Sequence, residues 1–219
     1  IASLCDQSQG ASQDFMTQEH LTDTRFDSFD LDPRIIQGLQ QTGFTYCTPI
    51  QAETLPIALA GHDVAGQAQT GTGKTAAFLV ATLQHLLAHE PKDALEGSNP
   101  RAVILAPTRE LAVQIHKDTL ALNRETGFRI GLVYGGTGYQ QQRDEVAAGV
   151  DILIGTPGRL IDYLKQRVFS LRQHAPVELK LAEFAVQEKL WGKFLGQGRV
   201  RQLLGGTYPC GICVPSPKK

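Results

Sequence analysis

Three apolar runs of strand length, "RAVILAP", "RIGLVYGG" and "DILIGTP", constrain the fold of this chain more than any other feature. Each run is nearly continuous in apolar residues and does not alternate with polar ones, as a strand requires when both faces of its sheet are covered. Helix-period segments lie between them, so strand and helix alternate from Phe26 to about Arg172. That alternation builds an α/β domain, a mainly parallel sheet covered by helices on both faces. "TRELAVQIHKDTLALNRETG" predicts a helix that begins at Thr108, packs Leu111, Ile115, Leu120 and Leu122, and ends at Gly127. "PRIIQGLQQTG" predicts another, with Asp32 as cap, Pro33 in the first turn and Gly43 as stop. "EPKDALEGSNP" has the composition of a surface loop, and there is no internal repeat.

Outside this region the pattern fades. Residues 1–25 are polar and aperiodic and are expected to be disordered. From 173 to 219 the alternation breaks: "VELKLAEFAVQEKLWGKFL" fits one helix with Leu181, Phe184, Trp191 and Leu195 on a stripe, and no strand is expected there. "CGIC" near the end has redox or zinc spacing, but one pair without a second pair or histidines is a weak metal signal. The 219 residues suffice for one sizeable α/β domain. A net charge of -1 means that any nucleic-acid surface must be a local patch. The four cysteines, Cys5, Cys47, Cys210 and Cys213, make a poor disulfide framework and fit a reducing compartment. No apolar stretch approaches the roughly 18 residues of a membrane span, and no secretory signal is visible, so a cytoplasmic protein without a membrane partner is expected.

The stretch "AGQAQTGTGKTAAFL" carries the clearest chemistry. A short strand, "DVAGQ", precedes it and a helix from Lys74 through His85 follows, the order a phosphate-binding loop requires. Backbone N–H groups of Gly71, Thr72, Gly73 and Lys74 would face a β-phosphate at the positive helix end, Lys74 would reach the β- and γ-phosphates, and the Thr75 hydroxyl would ligate Mg²⁺. Ala68 occupies the first glycine position of G-x-x-x-x-G-K-[ST]. The plain alternative is a glycine-rich turn that binds nothing.

Together with "GFTYCTPIQ", "PTRELA", "YGGTGYQQQ" and "TPGRL", in that order, "AQTGTGKT" resembles the motif set of the DEAD-box ATP-dependent RNA helicases, and within them the bacterial RhlB type. The likeness runs from about Phe26 to Leu171 and includes Ala68. It implies an incomplete N-terminal RecA-like lobe over residues 26–172, truncated before the Asp-Glu-Ala-Asp strand, with 1–25 and 173–219 flanking it. It also implies ATP and Mg²⁺ as cofactors, with Lys74 and Thr75 catalytic and Thr75 on the metal. The nucleotide contacts carried over are Phe26, Phe44, Thr48 and Gln51, and then Gln69, Thr70, Gly71, Thr72, Gly73, Lys74, Thr75 and Ala76. The amide of Gln51 can serve both N6 and N7 of adenine. Phe26 would stack on the base, an interaction of roughly 1–3 kcal/mol; core packing is the alternative for Phe26 and Phe29. Cys47 stands where many members carry proline, which is expected to weaken the turn.

RNA-backbone contacts are implied at Pro107, Thr108 and Arg109, at Gly135 and Gly136, and at Thr156, Pro157, Gly158 and Arg159. Thr108 and Thr156 would cap their helices, and Glu110 would orient Arg109. Taken alone, each motif is better explained by routine capping and turn chemistry; together, three sites on one edge favour a strand-tracking surface. Contacts to sugar and phosphate carry little sequence preference. RNA is the implied partner, with the RNA-decay machinery as a second, and a monomer is expected. The Asp-Glu-Ala-Asp and Ser-Ala-Thr motifs and the second lobe of the family have no counterpart here, and neither Glu178 nor Glu183 matches the acidic motif. Without those carboxylates and an arginine finger, phosphoryl transfer loses its main electrostatic terms, so negligible ATPase activity is expected of this chain alone. The break near Arg172, and Met16 as the only methionine, suggest a natural start at Met16 and a frameshifted or fused segment after Arg172. A non-catalytic ATP- or RNA-binding fragment is the second reading; a generic phosphate-loop kinase would leave the other motifs without a role.

Overall fold

The apolar runs form the sheet, and their carboxyl ends lie level. A computed structural model describes residues 21–62, 64, 66, 71–89, 99–136 and 138–170, and the backbone of 178–181. A 3₁₀ turn at Phe26–Ser28 leads into α1 (Pro33–Gln41), α2 (Pro49–Leu59) and α3 (Lys74–Ala88). There follow β1 (Ala102–Leu105), α4 (Arg109–Leu122), β2 (Ile130–Val133), α5 (Tyr139–Ala147), β3 (Ile152–Gly155), α6 (Pro157–Lys165) and β4 (Glu178–Leu181). All four strands are parallel, in the order β2-β3-β1-β4. Leu105 pairs with Gly155, and Gly155 with Val133, so the loops after β1, β2 and β3 leave the sheet at one edge. Ligands collect at this edge in open α/β sheets.

Side-chain alternation sorts the core into two layers. Ala102, Ile104, Ile152 and Ile154 pack against Ile35, Leu39, Leu79, Leu83, Ile115 and Leu122 from α1, α3 and α4. On the opposite face Val103, Leu105, Val133 and Leu153 meet Val146 of α5, Leu160 and Tyr163 of α6, and Phe169. Helices thus cover both faces, and every residue of β1 and β3 is buried. The cap of α1 forms as read, with Asp32 Oδ1 accepting from the Arg34 N–H at 2.9 Å and Gly43 in the left-handed region at φ 82°.

Four expectations need correction. Leu120 is 47% exposed and lies outside the core stripe of α4. The same helix stops at Leu122, short of Gly127, because the Asn123 side chain takes over the backbone of Phe128, donating to its carbonyl at 2.7 Å and accepting from its N–H at 3.1 Å. Residues 21–25 are ordered: Thr22 donates through both N and Oγ1 to the Cys47 carbonyl, at 2.8 and 2.9 Å, and Arg25 bridges Tyr46. Finally, Glu178–Leu181 is a strand and not the start of a helix, paired in parallel with β1 from Ala102↔Glu178 to Leu105↔Leu181. Its "ELKL" alternates with period two, and pairing it satisfies backbone groups of β1 that a helix there would leave open. Residues 182–219 with "CGIC", most of "DVAGQ" and most of "EPKDALEGSNP" lie outside the described residues, as do Gln69 and Thr70. Among the described residues no helix is long and apolar enough to cross a membrane.

Candidate functional site

The site has two ends. At the first, Thr48 is the N-cap of α2, Pro49 opens the helix and Gln51 is the third helical residue. The Gln51 side chain is completely buried, with Oε1 accepting from the Thr48 N–H at 2.8 Å and Nε2 donating to the Gly73 carbonyl at 3.0 Å. The return bond of a capping box does not reach hydrogen-bond geometry, so Thr48 Oγ1 is buried without a partner among the described residues. Gly73 is the N-cap of α3 at φ 86°, a conformation that glycine adopts without strain, and a Cβ there would overlap the Gln51 amide.

No side chain caps α3, and its first backbone bond runs from the Ala77 N–H to the Gly73 carbonyl at 3.2 Å. The first-turn N–H groups therefore have no acceptor within the helix, and Lys74 and Thr75 sit in that turn. An anion fits this end by charge and by hydrogen bonding. A metal finds less: no group of three His, Cys, Asp or Glu side chains converges among the described residues, and Thr75 is the hydroxyl at hand.

Phe26 is 2% exposed and meets Phe44 edge-on at 6.1 Å, both within the larger core cluster. Its ring packs in the core here, as the packing alternative has it. Cys47 does not weaken its turn. Its N–H donates to the Thr24 carbonyl at 2.8 Å, a bond that proline cannot make, and its buried thiol is pushed up from 9.0 to about 11 by desolvation.

The second end is the level edge of β2, β3 and β1. Thr108 Oγ1 caps α4 by accepting from the Leu111 N–H at 3.2 Å, and Arg109 is the first residue of that helix. The Arg109 guanidinium lies 4.7 Å above the Tyr134 ring. Tyr134, and not Glu110 as expected, holds it. Gly135 and Gly136 are exposed, and Gly136 has φ 103°. Thr156 occupies the N-cap of α6 but makes no side-chain cap bond, a second departure from expectation. Pro157 follows it, Gly158 is exposed, and Arg159 is half-buried with its guanidinium 4.7 Å from the Tyr139 ring and 5.5 Å from that of Tyr163. The three motifs that sequence places on one edge are on one edge.

Comparison with known proteins decides the family. Residues 48–179 match the family described as DEAD/DEAH box helicase. The chain belongs to that family. ATP-dependent RNA helicase RhlB of Yersinia pestis (strain Pestoides F) is 55% identical over 156 residues, which cover 71% of this chain and 36% of that protein. RhlB of Yersinia pseudotuberculosis serotype O:3 (strain YPIII) shows the same figures. The chain spans about a third of the length of these curated relatives, 36%. A hypothetical ATP-dependent RNA helicase from Sulfolobus tokodaii superposes with a TM-score of 0.64 at 26% identity, covering 84% of this chain and 52% of that one. The fold is therefore α/β and RecA-like.

Sequence reasoning missed the supports of this helicase edge. Gln142 accepts from the Tyr134 N–H at 3.0 Å, and Tyr163 donates its hydroxyl proton to the Tyr139 carbonyl at 2.6 Å. Tyr163 is a helical i, i+4 neighbour of Arg159, a spacing legible in the sequence, whereas Tyr134, Tyr139 and Gln142 lie far along the chain from the arginines beside them, so no local pattern announces those three.

Proposed function

We propose that this chain is the ATP- and RNA-binding first lobe of an ATP-dependent RNA helicase that remodels short RNA duplexes. One observation carries the reading: three loops with anion-binding chemistry leave one edge of a parallel sheet at the same level, in a chain of the DEAD/DEAH box family. On this reading Gly71, Thr72, Gly73 and the first turn of α3 hold a triphosphate, Lys74 neutralises its charge, and Gln51 selects adenine. Thr75 would join Mg²⁺ already carried by the phosphates, an ion that offsets charge on the β- and γ-oxygens. Pro107, Thr108, Arg109, Gly135, Gly136, Thr156, Pro157, Gly158 and Arg159 track the sugar–phosphate backbone of a single strand. Composition favours the cytoplasm, and the chain acts as a monomer with RNA, and through RNA with decay enzymes.

Binding and hydrolysis separate. No Asp-Glu-Ala-Asp stretch occurs in the 219 residues, so the chain holds ATP without turning it over. Thermal melting with Mg-ATP, Mg-GTP and neither tests the binding half, because a ligand of the folded state raises the midpoint. ATP alone should raise it. Equal shifts with GTP would indicate a generic phosphate loop, and no shift would reject the nucleotide assignment. Phosphate release above background would reject the inactivity.

A further inference from the structure

Arg109 and Arg159 come from different helices, yet both guanidinium groups lie 4.7 Å from a tyrosine ring, and the two tyrosines flank a single turn. That turn runs from the end of β2 to the start of α5, with Gly136 at φ 103° and Gly138 at φ 60° bending the chain between Tyr134 and Tyr139. We infer that Tyr134 and Tyr139 are positioning residues for Arg109 and Arg159, with Tyr163 as a lock on the second pair. The inference rests on the RNA-binding reading above.

Consider what each arginine has and lacks. Arg109 is exposed, and the Tyr134 ring is its partner among the described residues. A stacked ring restrains a long, rotamer-rich side chain and leaves its in-plane N–H donors open. Arg159 is held more tightly. Its Nη1 donates to Tyr163 Oη at 3.2 Å and lies 3.5 Å from Gln142 Oε1. Among the described residues Nε and Nη2 have no acceptor, and that remaining edge matches a bidentate contact to a phosphodiester.

The platform under Arg159 is itself braced. The Tyr139 carbonyl accepts from the Tyr163 hydroxyl, the two rings meet edge to face at 5.4 Å and 78°, and the Tyr139 hydroxyl accepts from Gln166 Nε2. Tyr139 is 38% exposed, so burying its ring is not its purpose. One hydroxyl, that of Tyr163, thus accepts from the arginine and donates to the backbone of the residue on which the arginine lies. A strand of RNA would meet two guanidinium groups already aimed, and less ordering would remain to be done on binding.

The test measures binding of the 219-residue chain to a fluorescently labelled oligouridylate by anisotropy across a salt series. Arg109→Ala and Arg159→Ala should each weaken binding and lower the salt slope by about one. Tyr134→Leu and Tyr139→Leu should weaken it roughly threefold to tenfold, the range expected for loss of a cation–π contact. Tyr139→Phe, which keeps the ring and loses only the bond from Gln166, should weaken binding less than Tyr139→Leu, while Tyr163→Phe, which removes the lock without a change of shape, should weaken binding about threefold. In an Arg159→Ala background Tyr139→Leu should have no further effect, a coupling that a merely structural tyrosine would not show. Full-strength weakening in that background, or tyrosine variants that bind normally while the arginine variants do not, would overturn the positioning role. If neither arginine variant weakens binding, the RNA reading itself fails and takes this inference with it.

Discussion

The two ends of the site hold their key groups in opposite ways. Gln51 is engaged at both ends of its amide, by the Thr48 N–H and the Gly73 carbonyl, so a purine that uses this amide must displace a bond already made. Arg109 and Arg159 are held chiefly through the faces of their guanidinium groups, with donors left over. A group fixed by hydrogen bonds exchanges partners on binding, whereas a group fixed by stacking only adds one. On the proposed reading, the nucleotide end is a place of exchange and the RNA edge is preorganised.

The sharpest way to break this contrast is Gln51→Ala, which orphans the buried Thr48 N–H, empties the space its amide fills and leaves the Gly73 carbonyl with only its bond from Ala77. It should cost roughly 2–4 kcal/mol in chemical denaturation and abolish the preference for ATP over GTP in melting shifts. RNA affinity should not move at a temperature where the variant is folded; a parallel loss would show that the two ends are one unit. Next is Lys74→Ala. At nucleotide a hundredfold above Kd the wild type gains about 2.7 kcal/mol, roughly 5–10 °C in midpoint for a chain of this size, and the variant should lose most of that gain. Gly73→Ala should cost about 2 kcal/mol without nucleotide, because alanine resists φ 86° and its methyl meets the Gln51 amide. A neutral outcome would mean that the Gln51–Gly73 contact is loose.

Smaller effects probe the loop ahead of Gln51. Cys47→Pro should cost about 1 kcal/mol by removing the N–H that donates to Thr24. The thiol gives a pH signature of its own. Folding raises its pKa to about 11, so the folded chain holds the proton more firmly than the unfolded one. The resulting stabilisation is complete below the unfolded thiol's pKa and fades as pH climbs from about 9 towards 11. Urea midpoints across that window should fall more in the wild type than in Cys47→Ala.

What the sequence disclosed, and what it hid, follows from where the information lies. β1 and β3 were legible because strands buried on both faces must be apolar throughout, and the α1 cap was legible because Asp32 and Pro33 act on adjacent backbone. The strand Glu178–Leu181 was not. Its two leucines alternate with Glu178 and Lys180, a pattern that also suits a helix start, and only the demand of β1 for a neighbour selects the strand. Phe26 shows the same limit from another side, since an aromatic in the right place for stacking is also suited to filling the core beside Phe44. Tyr134 and Tyr139 beneath the arginines depend on helices and strands converging, which no run of residues records.

The tie between Thr22 and Cys47 gives the molecule a mechanical handle. Thr22 grips the Cys47 carbonyl twice, Cys47 grips Thr24 in return, and the next residue is Thr48, whose N–H is fastened to Gln51. Tension drawn along the chain ahead of Thr22 would reach Thr48 within one peptide unit and pass through Gln51 to the Gly73 carbonyl, so on the proposed reading a load on the amino-terminal side is felt at the turn assigned to the triphosphate.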